Sequence, residues 1–449
     1  MKDIKILVPV DGSYKEYQKY KLAFSETNVW KKISFLVDPS LNSKAIENSI
    51  GFGGEYKKNE ADYKRCDEIL FECGFEGSFD KFCIVEYFQN KMLYHSSRQH
   101  REEVARKLIF LYDFIRQLEF DVFLYNTVSH FFPRFTSLVA RSMGKEVLGY
   151  TQSLVPGYEF IWVSDEQFYS DELIKTIPMV SQESRAKSKL ILDEIKEKKR
   201  KKQYLSVFKR SLAEEFKSLV MIRNRLTFKT LTKSRLKYWL NKAVINSVRA
   251  LFWKNASVSS IPSVPFIFFP LHMPGEAQTL VRGYPFINDV EVVQQVSLTL
   301  PAEFILLIKE HPGYEGWKSM QELNVIKSLP NVVLVNSEIS SHDLIDRAEG
   351  IVTINSSVWF EALAFETPVI TLGNGTFTGT DMTTSARSYE ELRRFLLELS
   401  KDKQRFLPGS AEVERFVAAY ASVSVKGGFY DYTDNYIESF RRLIGTKVN

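Results

Sequence analysis

Two adjacent serines lie where a strand pattern of the sequence gives way to a helix pattern. Asn355, Ser356 and Ser357 follow the apolar run Gly350–Ile354, which predicts a buried strand, and they open a stretch with helical periodicity. The first N–H groups of a helix and the positive end of its dipole favour an anion, to which hydroxyl groups can also donate. Glu361 lies one turn beyond Ser357 on the same face. The segment predicts a phosphate site with Glu361 available to a ribose, although serines at this position also cap helices without a ligand.

A histidine follows the strand predicted over Phe304–Lys309. It belongs to the sequence Lys309-Glu310-His311-Pro312, in which the proline restricts the backbone beside the imidazole. An imidazole can donate a hydrogen bond to a phosphate near neutral pH. We therefore predict that Lys309, Glu310 and His311 lie in the same binding region as the two serines. A histidine at the end of a strand can also be purely structural.

A second histidine, His272, follows the strand predicted over Phe266–Leu271, and Glu276 lies four residues later. Either side chain is placed to contact a bound sugar or an acceptor. Either could instead stabilise a hinge between two domains. The sequence leaves both interpretations open.

A transfer to a hydroxyl group needs a general base, and its candidates in the amino-terminal half are less distinct. Asp11 follows the first predicted strand directly, although it could instead form a turn with Gly12. His130 lies a few residues after a later strand and is the second candidate, while Glu86 and Glu159 are weaker ones. We predict Asp11, His130 and Glu276 as the catalytic set. No Asp-x-Asp signature stands out, so we expect neither a metal nor a cofactor.

The elements needed to position these residues follow from the apolar periodicity. Residues 1–165 and 261–400 alternate strand and helix patterns, which predicts two doubly wound α/β domains. The strands predicted first are Ile4–Val10, Ile33–Val37 and Phe82–Val85. Residues 166–260 predict a basic helical insertion, and residues 401–449 a helical segment. Two such domains predict a cleft between the carboxyl ends of their sheets, with room for two substrates.

The positive charge of the chain is concentrated in the insertion. Of a formal net charge of +5, the segment Arg185–Lys254 carries 21 Lys and Arg against 5 Asp and Glu, a local +16 that leaves −11 for the rest. Leucines, phenylalanines and tryptophans interleave these charges, as in amphipathic helices on an anionic membrane. A solvated basic insertion is the alternative. A nucleic-acid role would rest on charge alone, and we expect none.

The overall composition excludes several classes of protein. The chain has 449 residues, of which 44% are hydrophobic and 26% charged, as in soluble globular proteins of two or three domains. It resembles neither a disordered nor a collagen-like chain. Its apolar runs are shorter than the ~18 residues of a membrane span, and its start reads as a strand and not as a signal peptide. We therefore expect a cytoplasmic protein.

The carboxy-terminal motifs resemble those of a known family. The order of His272 with Glu276, then His311-Pro312, then Ser356-Ser357 with Glu361 is similar to the donor half of GT-B glycosyltransferases. It resembles more narrowly the bacterial capsule and lipopolysaccharide biosynthesis transferases, which include Kdo transferases and bacterial sialyltransferases. The resemblance covers about residues 266–373, and Pro274-Gly275-Glu276 stands where the capsule type often has Gln-Pro-Glu.

This resemblance implies a GT-B fold in which His311 and the serine pair contact the phosphate of a nucleotide sugar, and Glu361 its ribose. It implies transfer of a sugar, with a CMP-linked acidic sugar such as Kdo favoured and UDP or dTDP sugars possible, to a surface polysaccharide or lipid-linked glycan. The expected location is the inner face of the plasma membrane, with Arg185–Lys254 against anionic lipid. The motifs are also similar to those of teichoic-acid CDP-alditol phosphotransferases, and a non-catalytic membrane-bound assembly protein with a transferase fold is a further alternative.

Overall fold

The computed structural model describes most of the chain. The described residues are 4–10, 15–38, 41, 43–52, 54–85, 97–126, 131–163, 169–197, 233–273, 276, 278–311, 315–426, 438, 440–442 and 444. They form two β-sheets with helices on both faces.

The first sheet has seven strands. They are β1 Ile6–Val10, β2 Ile33–Val37, β3 Ser49–Gly51, β4 Val122–Asn126, β5 Glu146–Gln152, β6 Tyr158–Val163 and β13 Ser424–Lys426, and they lie in the order β13-β6-β5-β4-β1-β2-β3. The strands from β1 to β5 are parallel, while β6 is antiparallel to β5 and β13 is antiparallel to β6. From β3 to β6 the order 3-2-1-4-5-6 is that of a Rossmann-like domain.

The second sheet has six parallel strands in the same order. They are β7 Phe266–Pro270, β8 Ile305–Lys309, β9 Val332–Val335, β10 Gly350–Thr353, β11 Val369–Thr371 and β12 Thr384–Ser385, and they lie in the order β12-β11-β10-β7-β8-β9. Helices cover both faces, so the strands are apolar almost throughout; every residue of β7 and β10 is buried. The winding direction reverses between β7 and β10.

Fourteen α-helices are described. They are α1 Lys15–Phe24, α2 Tyr63–Glu72, α3 Phe79–Phe82, α4 Ser97–Arg116, α5 Phe131–Ser142, α6 Asp171–Thr176, α7 Gln182–Glu197, α8 Lys233–Ala256, α9 Asp289–Thr299, α10 Met320–Lys327, α11 Ser341–Arg347, α12 Val358–Ala364, α13 Tyr389–Leu399 and α14 Ser410–Val423. A π-helical turn spans Gln278–Arg282.

The fold class predicted from the sequence, α/β with two Rossmann-like doubly wound domains, is confirmed by the two strand orders. Polar residues of the sequence cap several helix starts. The side chain of Asn288 accepts the N–H of Val290 at the start of α9, and that of Ser388 accepts the N–H of Glu391 at the start of α13.

The strand predicted over Phe82–Val85 is wrong. Phe82 instead ends the short helix α3, whose first turn is capped by Ser78 through a hydrogen bond from the N–H of Lys81, and residues 84–85 are helical as well. Phe79, Phe82 and Cys83 of this segment are buried in the core of the first domain. A short apolar run that is buried on all sides has the same composition in a helix as in a strand, and this ambiguity explains the error.

The carboxy-terminal segment is helical over α14 but then adds a strand. Strand β13 pairs with β6, so the chain returns to the first sheet after completing the second domain. Helix α14 packs against α6 and α7 of the insertion, and Lys189 of α7 lies 3.4 Å from the carboxylate of Glu414. After residue 426 the predicted helical segment lies largely outside the described residues.

The basic insertion is described through α7 and α8, and residues 198–232 between them lie outside the described residues. Within the described part of the chain, no helix combines the length and the apolar character needed to cross a membrane.

Candidate functional site

The carboxyl ends of three neighbouring strands bring the predicted carboxy-terminal residues together. In the second sheet β7 lies between β10 and β8. His272 follows β7, Glu310 and His311 follow β8, and Asn355 follows β10, so all four lie at one edge of the sheet. The winding reverses between β7 and β10, and ligands of doubly wound sheets generally bind at the edge where such a reversal occurs.

Asn355 connects the ends of β10 and β7. Its backbone N–H lies 3.5 Å from His272 Nε2, and its side-chain amide donates to the carbonyl oxygens of Gln278 at 2.6 Å and Asn374 at 3.2 Å. The side chain is buried, yet its Oδ1 has no hydrogen-bond partner among the described residues. A buried acceptor without a partner is costly, so Oδ1 is available to a donor group of a ligand or to water.

A buried ion pair holds the loop after β7. The carboxylate of Asp289 accepts the backbone N–H of His272 at 2.6 Å and the ammonium of Lys318 at 3.0 Å. The side chains of Lys318 and Asp289 are only 7% and 5% exposed. Burial lowers the pKa of His272, and Asp289 opposes that effect only in part. His272 is therefore a neutral imidazole inside the edge of the sheet, fixed through its own backbone.

Glu310 is a buried carboxyl group next to this ion pair. Burial raises its pKa to about 8, while Lys318 and the backbone N–H of Gly316 act in the opposite direction. Glu310 is therefore largely protonated near neutral pH, and it can donate as well as accept a hydrogen bond.

The raised pKa of Glu310 predicts a pH dependence of stability. The folded state retains this proton after the unfolded chain has lost it, so stability should fall as pH rises from the ordinary value of 4.5 to about 8. The variant Glu310→Gln removes the titration and should be more stable than the wild type at the alkaline end by several kcal/mol, at about 1.4 kcal/mol per pKa unit. Denaturant unfolding at several pH values measures this difference. Glu303→Gln, at an exposed carboxyl group before β8, is the control and should keep the wild-type slope.

His311 and the serine pair form the accessible part of the site. His311 and Ser357 are exposed and Ser356 is half-buried. The N–H of Ser356 donates to Thr353 Oγ1 at 3.1 Å, and its hydroxyl accepts the N–H of Val358 at 3.4 Å. Ser357 precedes α12 and makes no side-chain capping bond there. Ser356 thus supports the helix start, and the hydroxyl of Ser357 is accessible to a ligand.

Two of the predicted residues contact a different part of the domain. The ammonium of Lys309 donates to Ser341 Oγ at 3.0 Å and to the carbonyl oxygen of Ile339, at the start of α11. The carboxylate of Glu361 lies 3.2 Å from His342 Nε2, also on α11. Lys309 therefore ties β8 to α11, and Glu361 lies beside His342. No motif in the sequence pointed to His342.

Glu276 precedes the π-helical turn Gln278–Arg282. It is half-buried, and burial raises the pKa of its carboxyl group. The negative charge of Asp289 also raises this pKa, whereas the positive charge of Arg282 lowers it. The turn also contacts the first domain, because Leu280 and Val281 pack against Val85. Glu276 is therefore both close to the site and next to the connection between domains, so the two interpretations from the sequence are compatible.

The candidate bases of the amino-terminal half have no described side-chain positions. Asp11, Glu86 and His130 lie outside the described residues, as does the side chain of Glu159. Their roles stay predictions.

Five residues of this sheet edge were not singled out from the sequence, and they are Gln278, Arg282, Asp289, Lys318 and Asn374. Asp289 carried one signal, since it follows the helix cap Asn288. Among the described residues, no three or more His, Cys, Asp or Glu side chains are grouped as metal ligands.

A polar crevice at the winding reversal of a doubly wound domain is typical of nucleotide-binding proteins. The sequence profile of the family described as capsule polysaccharide biosynthesis protein matches residues 174–405, more than half of the chain. The chain therefore belongs to the capsule polysaccharide biosynthesis protein family, as its motifs predicted.

Individual proteins with similarity to the chain include one curated relative. Protein FixF of Sinorhizobium fredii (strain NBRC 101917 / NGR234) is 33% identical over 124 residues, which make up 26% of this chain and 28% of FixF. The match thus spans under a third of either protein.

The chain also matches solved structures, with low sequence identity and low TM-scores. The β-Kdo 2,7 transferase of KpsC from Thermosulfurimonas dismutans is 11% identical with a TM-score of 0.39, over 99% of this chain and 100% of that one. The UDP-GlcNAc 2-epimerase from Neisseria meningitidis is 12% identical with a TM-score of 0.29, over 99% of each chain.

Proposed function

We propose that this protein is a glycosyltransferase that moves a sugar from a nucleotide-sugar donor to a surface polysaccharide or a lipid-linked glycan. Membership of the capsule polysaccharide biosynthesis family supports the class of reaction. The observation that carries the proposal is the contact between His272 and Asn355 at the winding reversal of the second sheet, with His311 and Ser357 at the same edge of the sheet. This edge is of the kind at which doubly wound domains bind nucleotides.

The donor binds, in this proposal, along the accessible part of the site. His311 and Ser357 donate hydrogen bonds to its phosphate. Asn355 Oδ1 accepts a hydrogen bond from a hydroxyl or amino group of the nucleotide sugar. Glu361, which lies 3.2 Å from His342, accepts hydrogen bonds from the ribose. A CMP-linked acidic sugar such as Kdo is our first choice of donor, with UDP and dTDP sugars next.

The chemistry follows from where charge develops. Cleavage of the sugar–phosphate bond leaves negative charge on the departing phosphate, and donors fixed in advance at that place lower the barrier. His311 and the serine pair fill this role in the proposal. Asp11 then accepts the proton of the acceptor hydroxyl, with His130 as the second candidate and Glu276 as the candidate within the second domain.

A nucleotide panel tests the donor site. Ligands that bind only the folded state raise its melting temperature, by an amount that grows with their affinity. We expect CMP and CDP to raise the melting temperature more than UDP and dTDP. If none of the four nucleotides changes it, the proposal fails and a non-catalytic role gains support. The mass of the product then separates transfer of a glycose from transfer of a polyol phosphate.

We further propose that the protein works at the inner, cytoplasmic face of the plasma membrane, where lipid-linked acceptors are found. The net charge of +16 over Arg185–Lys254 supports this location, because anionic lipids attract such segments. Binding to anionic vesicles should then decrease as salt is added.

A further inference from the structure

Helix α8 of the basic insertion exposes large apolar side chains. Ile245, Val248, Leu251 and Phe252 are 46%, 46%, 62% and 53% exposed. At 3.6 residues per turn these four residues occupy about a third of the helix circumference, all on one side. Isolated exposed apolar residues are common on protein surfaces, but a continuous stripe on one helix indicates an interaction face. We name Ile245, Val248, Leu251 and Phe252 the outer face of α8.

The opposite side of the same helix is fixed to the second domain. Trp253 is 1% exposed and belongs to the core that surrounds β7 and β8, and Asn246 is 4% exposed. The two residues are seven apart and therefore lie on one side of the helix. This anchoring gives the outer face a fixed orientation relative to the second sheet.

The anchored side of α8 also supports the segment that follows His311. Gly316 has a φ of +75°, and a Cβ atom there would lie 2.0 Å from the carbonyl oxygen of Asn246 and 2.7 Å from the backbone nitrogen of Ala250. Only a glycine permits so close an approach of two backbones. The N–H of Gly316 in turn faces the carboxyl group of Glu310. Helix α8 is thus in direct contact with the candidate donor site.

The charge of the insertion identifies the partner of the outer face. The segment that contains α8 carries a net +16, whereas the rest of the chain carries −11. A basic segment with an apolar stripe matches a bilayer with anionic headgroups, in which the stripe enters the boundary of the acyl chains. A soluble acidic protein would satisfy the charge but would not require the exposed phenylalanine and leucine.

We propose that the outer face of α8 inserts into the surface of an anionic membrane, and that this contact stabilises Gly316 and, through it, Glu310 next to the donor site from the other side of the helix. The inference rests on the proposed function, since that function places the donor site beside Glu310. It adds the residues that enter the membrane and a physical link from the membrane to the site.

Vesicle binding of the full chain tests the first half of the proposal. The protein should bind vesicles of phosphatidylcholine with phosphatidylglycerol, and bind phosphatidylcholine alone much more weakly. The variant I245S/V248S/F252S should bind the mixed vesicles about ten-fold more weakly or worse, because three apolar side chains no longer leave water. The matched control is L22S/F71S/L298S, which changes three exposed apolar residues on α1, α2 and α9. Equal binding by both variants overturns the proposal.

Hydrogen exchange tests the second half. Mixed vesicles should slow exchange of peptides from residues 310–318 in the wild type and in the control variant, but not in I245S/V248S/F252S. Exchange that does not respond to vesicles in the wild type overturns the link to the donor site. The nucleotide panel without vesicles reports on the donor site alone, so a failure there contradicts the proposed function and leaves the membrane contact standing.

Discussion

The variant Lys318→Met is expected to lower the free energy of unfolding by about 3–5 kcal/mol, because it leaves the carboxylate of Asp289 buried without its cation. The two side chains are only 7% and 5% exposed and lie 3.0 Å apart. Asp289 also holds the backbone of His272, so the loop after β7 should loosen as well. Urea denaturation of the wild type and the variant measures the change.

A second ion pair of the same length provides the control. Lys254 lies 3.0 Å from Glu338, but these side chains are 57% and 67% exposed. Lys254→Met should therefore cost roughly 1 kcal/mol or less. The double variant K318M/D289N removes both buried charges and should recover part of the loss. If Lys318→Met and Lys254→Met lower the free energy of unfolding equally, burial does not make the Lys318–Asp289 pair more important for stability than the exposed pair.

The variant His311→Ala is expected to reduce strongly the thermal shift caused by cytidine nucleotides while leaving the fold intact. His311 is exposed and lies outside the buried cores, so its removal should not unfold the protein. In the proposed site it donates a hydrogen bond to a charged phosphate, which is worth about 1.5–3 kcal/mol. Nucleotide affinity should therefore fall roughly 10- to 150-fold. Isothermal titration measures this loss directly.

Two further variants test whether the loss of nucleotide affinity is caused by the missing hydrogen-bond donor of His311 or by any substitution in this domain. His311→Gln keeps one N–H donor and should recover part of the affinity. Lys327→Ala removes an exposed cation from the same domain at the end of α10, and it should bind nucleotides as the wild type does. Wild-type affinity in His311→Ala would remove His311 from the donor site.

Most of the architecture could be predicted from the sequence, because its signals are local. Strands such as β1 and β8 are continuous apolar runs, and the starts of α9 and α13 carry Asn288 and Ser388 as caps. Two elements show the limit of such signals. Residues 82–85 were predicted as a strand but lie in helical turns, because a short buried run lacks a diagnostic period. Strand β13 was not predicted because its partner β6 is more than two hundred residues away.

The site was predictable where it depends on the ends of strands and unpredictable where it depends on packing. Parallel strands end at one edge, so the positions of His272, His311 and Asn355 followed from the strand pattern alone. The pairing of Lys318 with Asp289 did not, because 29 residues separate them and only the packed fold brings them together. The contact between Glu361 and His342 has the same explanation.

The return of β13 to the first sheet has a consequence for biosynthesis. During synthesis the amino-terminal half of the chain emerges from the ribosome long before residues 424–426 do. Until β13 pairs with it, β6 is an edge strand whose outer backbone groups have no strand partner. The first domain therefore completes its hydrogen bonding only when the second domain has already emerged. Premature stops ahead of β13 should yield chains that aggregate through the exposed edge of β6, even though every other strand of the two sheets is encoded.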